Sequence, residues 1–189
     1  MAKRWVRATT LLLVLAACTP TKESAPVAVA PPTPPIRLSV GSVEVSSVAQ
    51  YPANMNFIGR RRSEALAQEA QSFLRSHIVA EGGVDFARAT VEEASIIERA
   101  RATEGGVLST EPTWEMVGVL ALKVAVVDGL GIEQSFASSR VEIKRALSPR
   151  TSVEGKDTFA RTLSNDLIQA ANAELEKSIE QNLADRRIR

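Results

Sequence analysis

The sequence predicts an α+β fold, in which a four-stranded mixed sheet carries two helices on one face in the order β-α-β-β-β-α. Three observations predict it. Apolar residues alternate in four stretches, they recur every third or fourth position in two others, and one helix-like stretch lies before and one after three consecutive strand-like stretches. This single domain is expected over residues 36–189. A signal peptide (1–17) and a tether (18–35) are expected before it.

The first strand is predicted to begin at Ile36, where apolar residues alternate. The alternation slips at Gly41-Ser42, which predicts a β-bulge. A helix is predicted over residues 60–81, with a stop at Gly82-Gly83. Its apolar face consists of six residues: Leu66, Ala70, Phe73, Leu74, His77 and Ile78.

Three strands are predicted between the helices. The first runs from Phe86 to about Arg101 and slips at Glu92-Glu93. The second, 114–127, is apolar on both faces, which predicts a central position in the sheet. The third, 132–147, is more polar and is expected at an edge, where a partner could add a strand.

The closing helix is predicted from Asp157 to about Asp185, because apolar residues recur at every fourth position. If each connection reverses the chain direction, the two helices run parallel to each other and antiparallel to the first strand. The second helix should then end on the side where the tether enters.

The N-terminus has the pattern of an export signal. Lys3, Arg4 and Arg7 precede the apolar run 10–17, and no acidic residue occurs before Glu23. That run is much shorter than the roughly 20 residues needed to span a bilayer, so it fits the apolar region of a signal peptide.

The end of the signal, Leu15-Ala16-Ala17-Cys18, resembles a bacterial lipobox. That resemblance implies signal-peptidase recognition of the first three residues, cleavage before Cys18 and attachment of acyl chains to its thiol. Cys18 is the only cysteine, so the chain has no internal disulfide to explain it. Thr19 is not the aspartate that favours inner-membrane retention in enteric-type bacteria. We therefore expect the outer membrane, with the inner membrane as the alternative.

Residues 19–35 hold six of the nine prolines and show no apolar periodicity. Proline favours an extended polyproline II-like state, so this segment is predicted to be a spacer. Removal of residues 1–17 lowers the basic count from 23 to 20, against 22 acidic residues. With no basic excess and an export signal, we expect no nucleic-acid partner.

No catalytic, metal or cofactor site is predicted. His77 is the only histidine and lies beside Phe73, which favours a helix-boundary position over a ligand or base. Adjacent strand residues such as Glu92 and Glu93 point to opposite faces, which disfavours paired acid–base chemistry. The glycine pairs lack the lysine of a phosphate-binding loop. The chain is therefore predicted not to be an enzyme.

Two arginine clusters are candidate contacts for a partner or for lipid head groups: Arg60, Arg61 and Arg62, and Arg186, Arg187 and Arg189. The first stands near a helix start, where the helix dipole disfavours cations. The second closes a helix, where cations are favoured. The alternative for both is a solvated surface.

The stretch IRLSVGSVEV, the charged first helix and the ending TLSNDLIQAANAELEKSIEQNL resemble an uncharacterised family of alphaproteobacterial lipoproteins. More loosely, the tethered β-α-β-β-β-α pattern is similar to auxiliary lipoproteins of envelope transport or assembly systems and to lipoprotein activators of peptidoglycan synthases. These resemblances imply a non-enzymatic accessory subunit bound to an envelope protein. The alternatives are a regulator of peptidoglycan synthesis and, in a different class, an envelope hydrolase.

Overall fold

The computed structural model describes residues 34–101, 113–148 and 150–188. Within them, the helices are α1 (Phe57–His77) and α2 (Val153–Asn182). The strands are β1 (Ile36–Leu38), β2 (Ser42–Ser47), β3 (Ile78–Ala80), β4 (Phe86–Arg101), β5 (Thr113–Val127), β6 (Glu133–Leu147) and β7 (Arg187–Ile188). All of them belong to one compact unit, Thr33–Arg189.

The main sheet has four strands in the order β2-β4-β5-β6, with β2 parallel to β4 and the other pairs antiparallel. Both helices pack on the same face. This confirms the predicted α+β fold with a mixed sheet, and it confirms β5 as an inner strand and β6 as an edge. The phase slip in β4 is a register shift between Val91 and Glu93.

The core lies between this sheet and the helices. Met116, Leu120 and Leu122 of β5 are fully buried there against leucines of both helices. Gly118 lets α2 approach, because a Cβ at this position would lie 2.5 Å from Cδ1 of Leu167. Close helix–sheet packing therefore depends on this glycine.

The first predicted strand is divided in the structure into β1 and β2, which belong to different sheets. The prediction of a single strand with a bulge was therefore wrong. β1 belongs to a small second sheet, in the order β3-β1-β7, while β2 belongs to the main one. Gly41 lies between them, and a Cβ there would stand 2.7 Å from the carbonyl oxygen of Gly83. The chain therefore passes from one sheet to the other at a point where its backbone lies directly against the backbone at Gly83.

Both helices end earlier than predicted. α1 stops at His77, since the backbone of Ile78 is extended (φ −104°, ψ 121°) and leads into β3, which pairs with β1. α2 begins at Val153 and stops at Asn182, and the chain then turns into β7, which also pairs with β1. The helix ends therefore supply both outer strands of the small sheet.

The two helices run parallel, as predicted. Arg62 of α1 contacts Asp157 at the start of α2, while His77 at the end of α1 contacts Glu176 of α2. Both helices begin at one end of the unit, here called the helix-start end. The other, the tether end, holds β1, which the tether enters, and β7, which confirms that the second helix ends on the tether side.

The signal peptide, the Leu15-Ala16-Ala17-Cys18 motif and nearly all of the tether lie outside the described residues, as does Arg189. In the part of the chain that is described, neither helix combines the length and apolarity needed to cross a membrane.

Candidate functional site

The N-termini of α1 and α2 lie side by side at the helix-start end. Asn56 caps α1, its Oδ1 accepting a hydrogen bond from the Gly59 N–H at 2.7 Å. Ser152 caps α2 in the same way, its Oγ accepting from the Gly155 N–H at 3.1 Å. The caps satisfy backbone donors that the first turn of a helix leaves without partners.

An ion-pair network ties the two helix starts together. Arg62 donates to Oδ1 of Asp157 from Nη2 at 2.7 Å, and Arg61 donates to Oδ2 at 3.1 Å. The hydrogen bond from Arg62 is the main cause that lowers the pKa of Asp157. Beside this network, Nζ of Lys156 lies 2.5 Å from Oε1 of Glu98 on β4. The second pair joins α2 to the sheet.

A cavity of about 390 Å³ opens between these helix starts, the loop before α1 and the outer part of β4. Its apolar lining includes Met55, Ile58, Ile97 and Val153, and its charged lining Arg62, Glu98 and Lys156. The lining residues Val153 and Ile58 are 67% and 43% exposed, and Phe57, which precedes Ile58 in the chain, is 78% exposed. The cavity therefore has an exposed apolar rim.

This arrangement suits binding of an apolar group. Ligand sites are concave and mostly apolar, with a few polar groups that fix orientation. The charged groups of this cavity are already held in ion pairs, Arg62 with Asp157 and Lys156 with Glu98, so they are suited to orienting a bound group.

Ser63 is a further polar residue near this site, and it is fully buried. Its Oγ donates to the carbonyl oxygen of Gly59 at 2.8 Å and accepts from the Ile96 N–H at 2.9 Å. These bonds fasten the first turns of α1 to the edge of β4, where no β2 residue pairs with Ile96. Ser63 thus positions the helix that forms one wall of the cavity.

His77 lies at the far end of α1 from the cavity. Its ring is buried and stacks on Phe73 with 4.7 Å between centroids, and Nε2 stands 3.3 Å from Oε1 of Glu176. The structure therefore places this histidine at a helix boundary beside α2. In the described residues, no cluster of three or more His, Cys, Asp or Glu side chains is arranged to hold a metal ion.

The structure separates the two arginine clusters. Arg60, Arg61 and Arg62 lie at the helix-start end, where Arg60 is exposed and the other two pair with Asp157.

At the tether end, Arg186 pairs with Asp85 at 2.8 Å and Arg187 pairs with Glu180. Direct binding of a partner or lipid by the arginines stays a prediction at both ends.

Sequence reasoning missed the apolar rim. Phe57 and Ile58 precede the arginine run, separated from it only by Gly59, and Val153 precedes the predicted start of the second helix. The signal that could have revealed it was the pair of helix-capping residues, Asn56 and Ser152, which mark where the two helices begin. Placing the helix starts there puts three apolar residues in exposed first turns.

No family model matches the sequence, and no curated protein does. Among solved structures, rare lipoprotein B from Shewanella oneidensis is similar at 17% identity and a TM-score of 0.40, over 75% of this chain and 96% of the other. A minor lipoprotein from Acinetobacter baumannii is similar at 10% identity and a TM-score of 0.41, over 80% of this chain and 98% of the other. Uncharacterized lipoprotein B from Nitrosomonas europaea is similar at 16% identity and a TM-score of 0.43, over 77% of this chain and 86% of the other. These neighbours are bacterial lipoproteins, and the likeness is loose.

Proposed function

We propose that this chain is a lipid-anchored, non-enzymatic accessory or assembly subunit of a transport-type complex in the cell envelope. The anchor is Cys18, and the proposed location is the periplasmic face of the outer membrane. The export signal and the lipobox-like motif support the anchor. The cavity at the helix-start end supports binding of a protein partner.

One observation carries this proposal: within the described unit, the cavity lies at the end opposite to β1, where the tether joins the domain. The tether enters β1, which pairs with the strand that follows α2, whereas the cavity lies where both helices begin. Along α1, Arg62 and His77 are separated by about 22 Å at a rise of about 1.5 Å per residue. A chain held to a membrane at Cys18 can therefore present its cavity toward a partner in the periplasm.

The rim has the composition of an interface centre. In protein interfaces a few buried anchor side chains that fill pockets contribute most of the binding energy, and the contacts around the pocket exclude water. Ile58 and Val153 line the cavity, and the exposed Phe57 precedes Ile58 in the first turn of α1. The ion pairs Arg62–Asp157 and Lys156–Glu98 lie beside them. The bound group is proposed to be an apolar side chain of the partner.

Site-specific photocrosslinking in the native host tests the proposal. A photoreactive residue at Phe57 should capture a subunit of an envelope transport or assembly complex. The matched control is Phe136, which is also aromatic and exposed but lies on the open face of the main sheet. We expect capture at Phe57 to fall when Val153 is replaced by Asp.

Each outcome of this experiment is informative. Capture of a peptidoglycan synthase at Phe57 would favour the regulator of cell-wall synthesis. Equal products from Phe57 and Phe136, or no protein product at Phe57, would contradict a partner site at the cavity.

A further inference from the structure

We infer that the tether end is a membrane-contact surface, formed by apolar side chains on turns that insert between lipid head groups. The inference rests on the proposed anchoring of the chain at a membrane. Its three members are Val84, Leu130 and Ile132, which are 94%, 86% and 56% exposed. The occupant is a lipid surface.

The strand register places these side chains at one end of the main sheet. Phe86, Val127 and Glu133 form adjacent positions on β4, β5 and β6 at the ends of those strands. Val84 lies two residues before Phe86, while Leu130 and Ile132 belong to the turn between β5 and β6. The three apolar groups therefore project beyond the same rung.

This is also the end at which the tether enters. The Gly41 N–H donates to the carbonyl oxygen of Asp85 at 2.7 Å, and the Ser39 N–H donates to that of Arg186 at 2.7 Å. Both glycine and serine lie in the short segment that leads from β1 to β2. Because the tether joins the domain at β1, the end of the domain that a lipid anchor would hold nearest to the membrane is also the end that carries Val84.

The turn that carries Leu130 is held in one conformation. Oδ1 of Asp128 accepts hydrogen bonds from the N–H groups of Leu130 and Ile132, both at 2.9 Å. Gly131 adopts φ +83°, which favours glycine. Little conformational entropy is therefore lost when Leu130 enters the interface.

Four basic residues at this end are already paired with carboxylates, which favours apolar contact over attraction to anionic lipid, while Arg75 in the last turn of α1 donates to Oε1 of Gln71. The four pairs are Arg37 with Glu81, Lys123 with Glu133, Arg186 with Asp85 and Arg187 with Glu180. A cation that is already paired gains less from a lipid phosphate. Binding should therefore depend little on anionic lipid and on salt.

The tether makes weak insertion sufficient. From Cys18 to Pro34, an extended chain at about 3.1 Å per residue reaches about 50 Å. A lipid anchor at Cys18 would hold the turns near the bilayer at high effective concentration, so even a modest affinity would keep them in contact.

Vesicle flotation with an unlipidated chain of residues 19–189 tests the surface without the anchor. The probes are vesicles of phosphatidylcholine alone and vesicles with added phosphatidylglycerol. We expect the chain to float with both. Joint replacement of Val84, Leu130 and Ile132 by Ser should lower the partition coefficient by about tenfold or more. The matched control, Phe57→Ser with Val153→Ser, removes exposed apolar groups at the opposite end and should leave flotation unchanged.

Fluorescence gives a second readout. In Leu130→Trp, emission should move to shorter wavelength on addition of vesicles, while in Phe57→Trp it should not. Equal flotation of the triple serine variant and the wild-type chain, equal shifts at both tryptophans, or unchanged Leu130→Trp emission in the acylated chain would overturn the inference.

Failure of the proposed function is separately visible, because it appears as lost acylation of Cys18 or lost capture at Phe57. Flotation that is lost when Val84, Leu130 and Ile132 are replaced by Ser supports the contact surface, whether or not the proposed function holds. An acylated chain whose Leu130→Trp emission stays unchanged retains the anchor but not this surface.

Discussion

Arg62 donates two hydrogen bonds to one oxygen of Asp157, from Nη2 at 2.7 Å and from Nε at 3.0 Å. The arginine is in α1 and the aspartate is in the first turns of α2, so one guanidinium joins the two helix starts. Arg62 is 8% exposed and lines the cavity. The ion pair therefore supports both the fold and the proposed partner site.

Replacement of Arg62 by Ala is expected to lower the free energy of unfolding by about 1–3 kcal/mol, because Asp157 loses its main donor and the packed arginine stem is removed. Urea denaturation measures this. Arg60→Ala, which removes an exposed arginine two positions away, should change it by less than about 0.5 kcal/mol. A double-mutant cycle with Asp157→Ala should give a positive coupling. Equal effects of the Arg60 and Arg62 variants would show that the pair contributes nothing measurable.

The same pair predicts a pH dependence. Hydrogen bonding from Arg62 is the largest cause that holds the pKa of Asp157 below its ordinary value. The unfolded chain then binds more protons than the native one, so this contribution to stability is present above the ordinary pKa and is lost as pH falls through the native pKa. We expect the stability difference between wild type and Asp157→Asn to be constant near neutral pH and to shrink below about pH 4. A difference that grows with acid would contradict this assignment.

The long strands were predictable because their apolar patterns are local. β4, β5 and β6 each continue over many residues, and a doubly apolar strand such as β5 needs a neighbour on each side. β3 and β7 were missed because strands of three and two residues carry no period. They exist because both pair with β1, and the sequence of either strand alone does not encode that pairing.

The candidate site was less predictable than the fold. Arg62 and Asp157 are 95 residues apart, and their contact depends on the parallel packing of two helices. The sequence identified the arginine run, but it offered no means to decide which guanidinium faces a partner and which faces Asp157. The cavity arises from three segments that meet only in the folded chain.

Gly118→Ala is expected to destabilise the fold by about 1–3 kcal/mol, the range for overpacking a dense core. The new Cβ would lie 2.5 Å from Cδ1 of Leu167 and 3.2 Å from Cδ2 of Leu163, so these leucine side chains, or α2 with them, would have to shift. Urea denaturation is the measurement. Gly129→Ala is the control, because a Cβ at Gly129 has no neighbour within 4 Å. If both variants unfold alike, the packing of α2 on β5 is looser than described.

His77→Ala should reduce stability without removing partner capture at Phe57. The histidine ring is buried against Phe73 and Glu176, so its loss leaves a cavity and removes a contact between the helices. It lies at the end of α1 that is remote from the cavity. Urea denaturation and photocrosslinking, performed at matched protein level, separate the two effects. Full stability with lost function would instead indicate a chemical role for this side chain.

Cys18→Ala is expected to abolish incorporation of a fatty-acid analogue, because the thiol that would carry the acyl chains is absent. The wild-type chain should be labelled during growth with the analogue. Thr19→Asp provides the matched variant: it retains the thiol, so it should be labelled like wild type. In an enteric-type host, however, it should move from the outer-membrane fraction to the inner. Unchanged labelling of Cys18→Ala would refute the lipid anchor. Equal fractionation of wild type and Thr19→Asp would remove only the assignment to the outer membrane, since the anchor and the sorting signal are read separately.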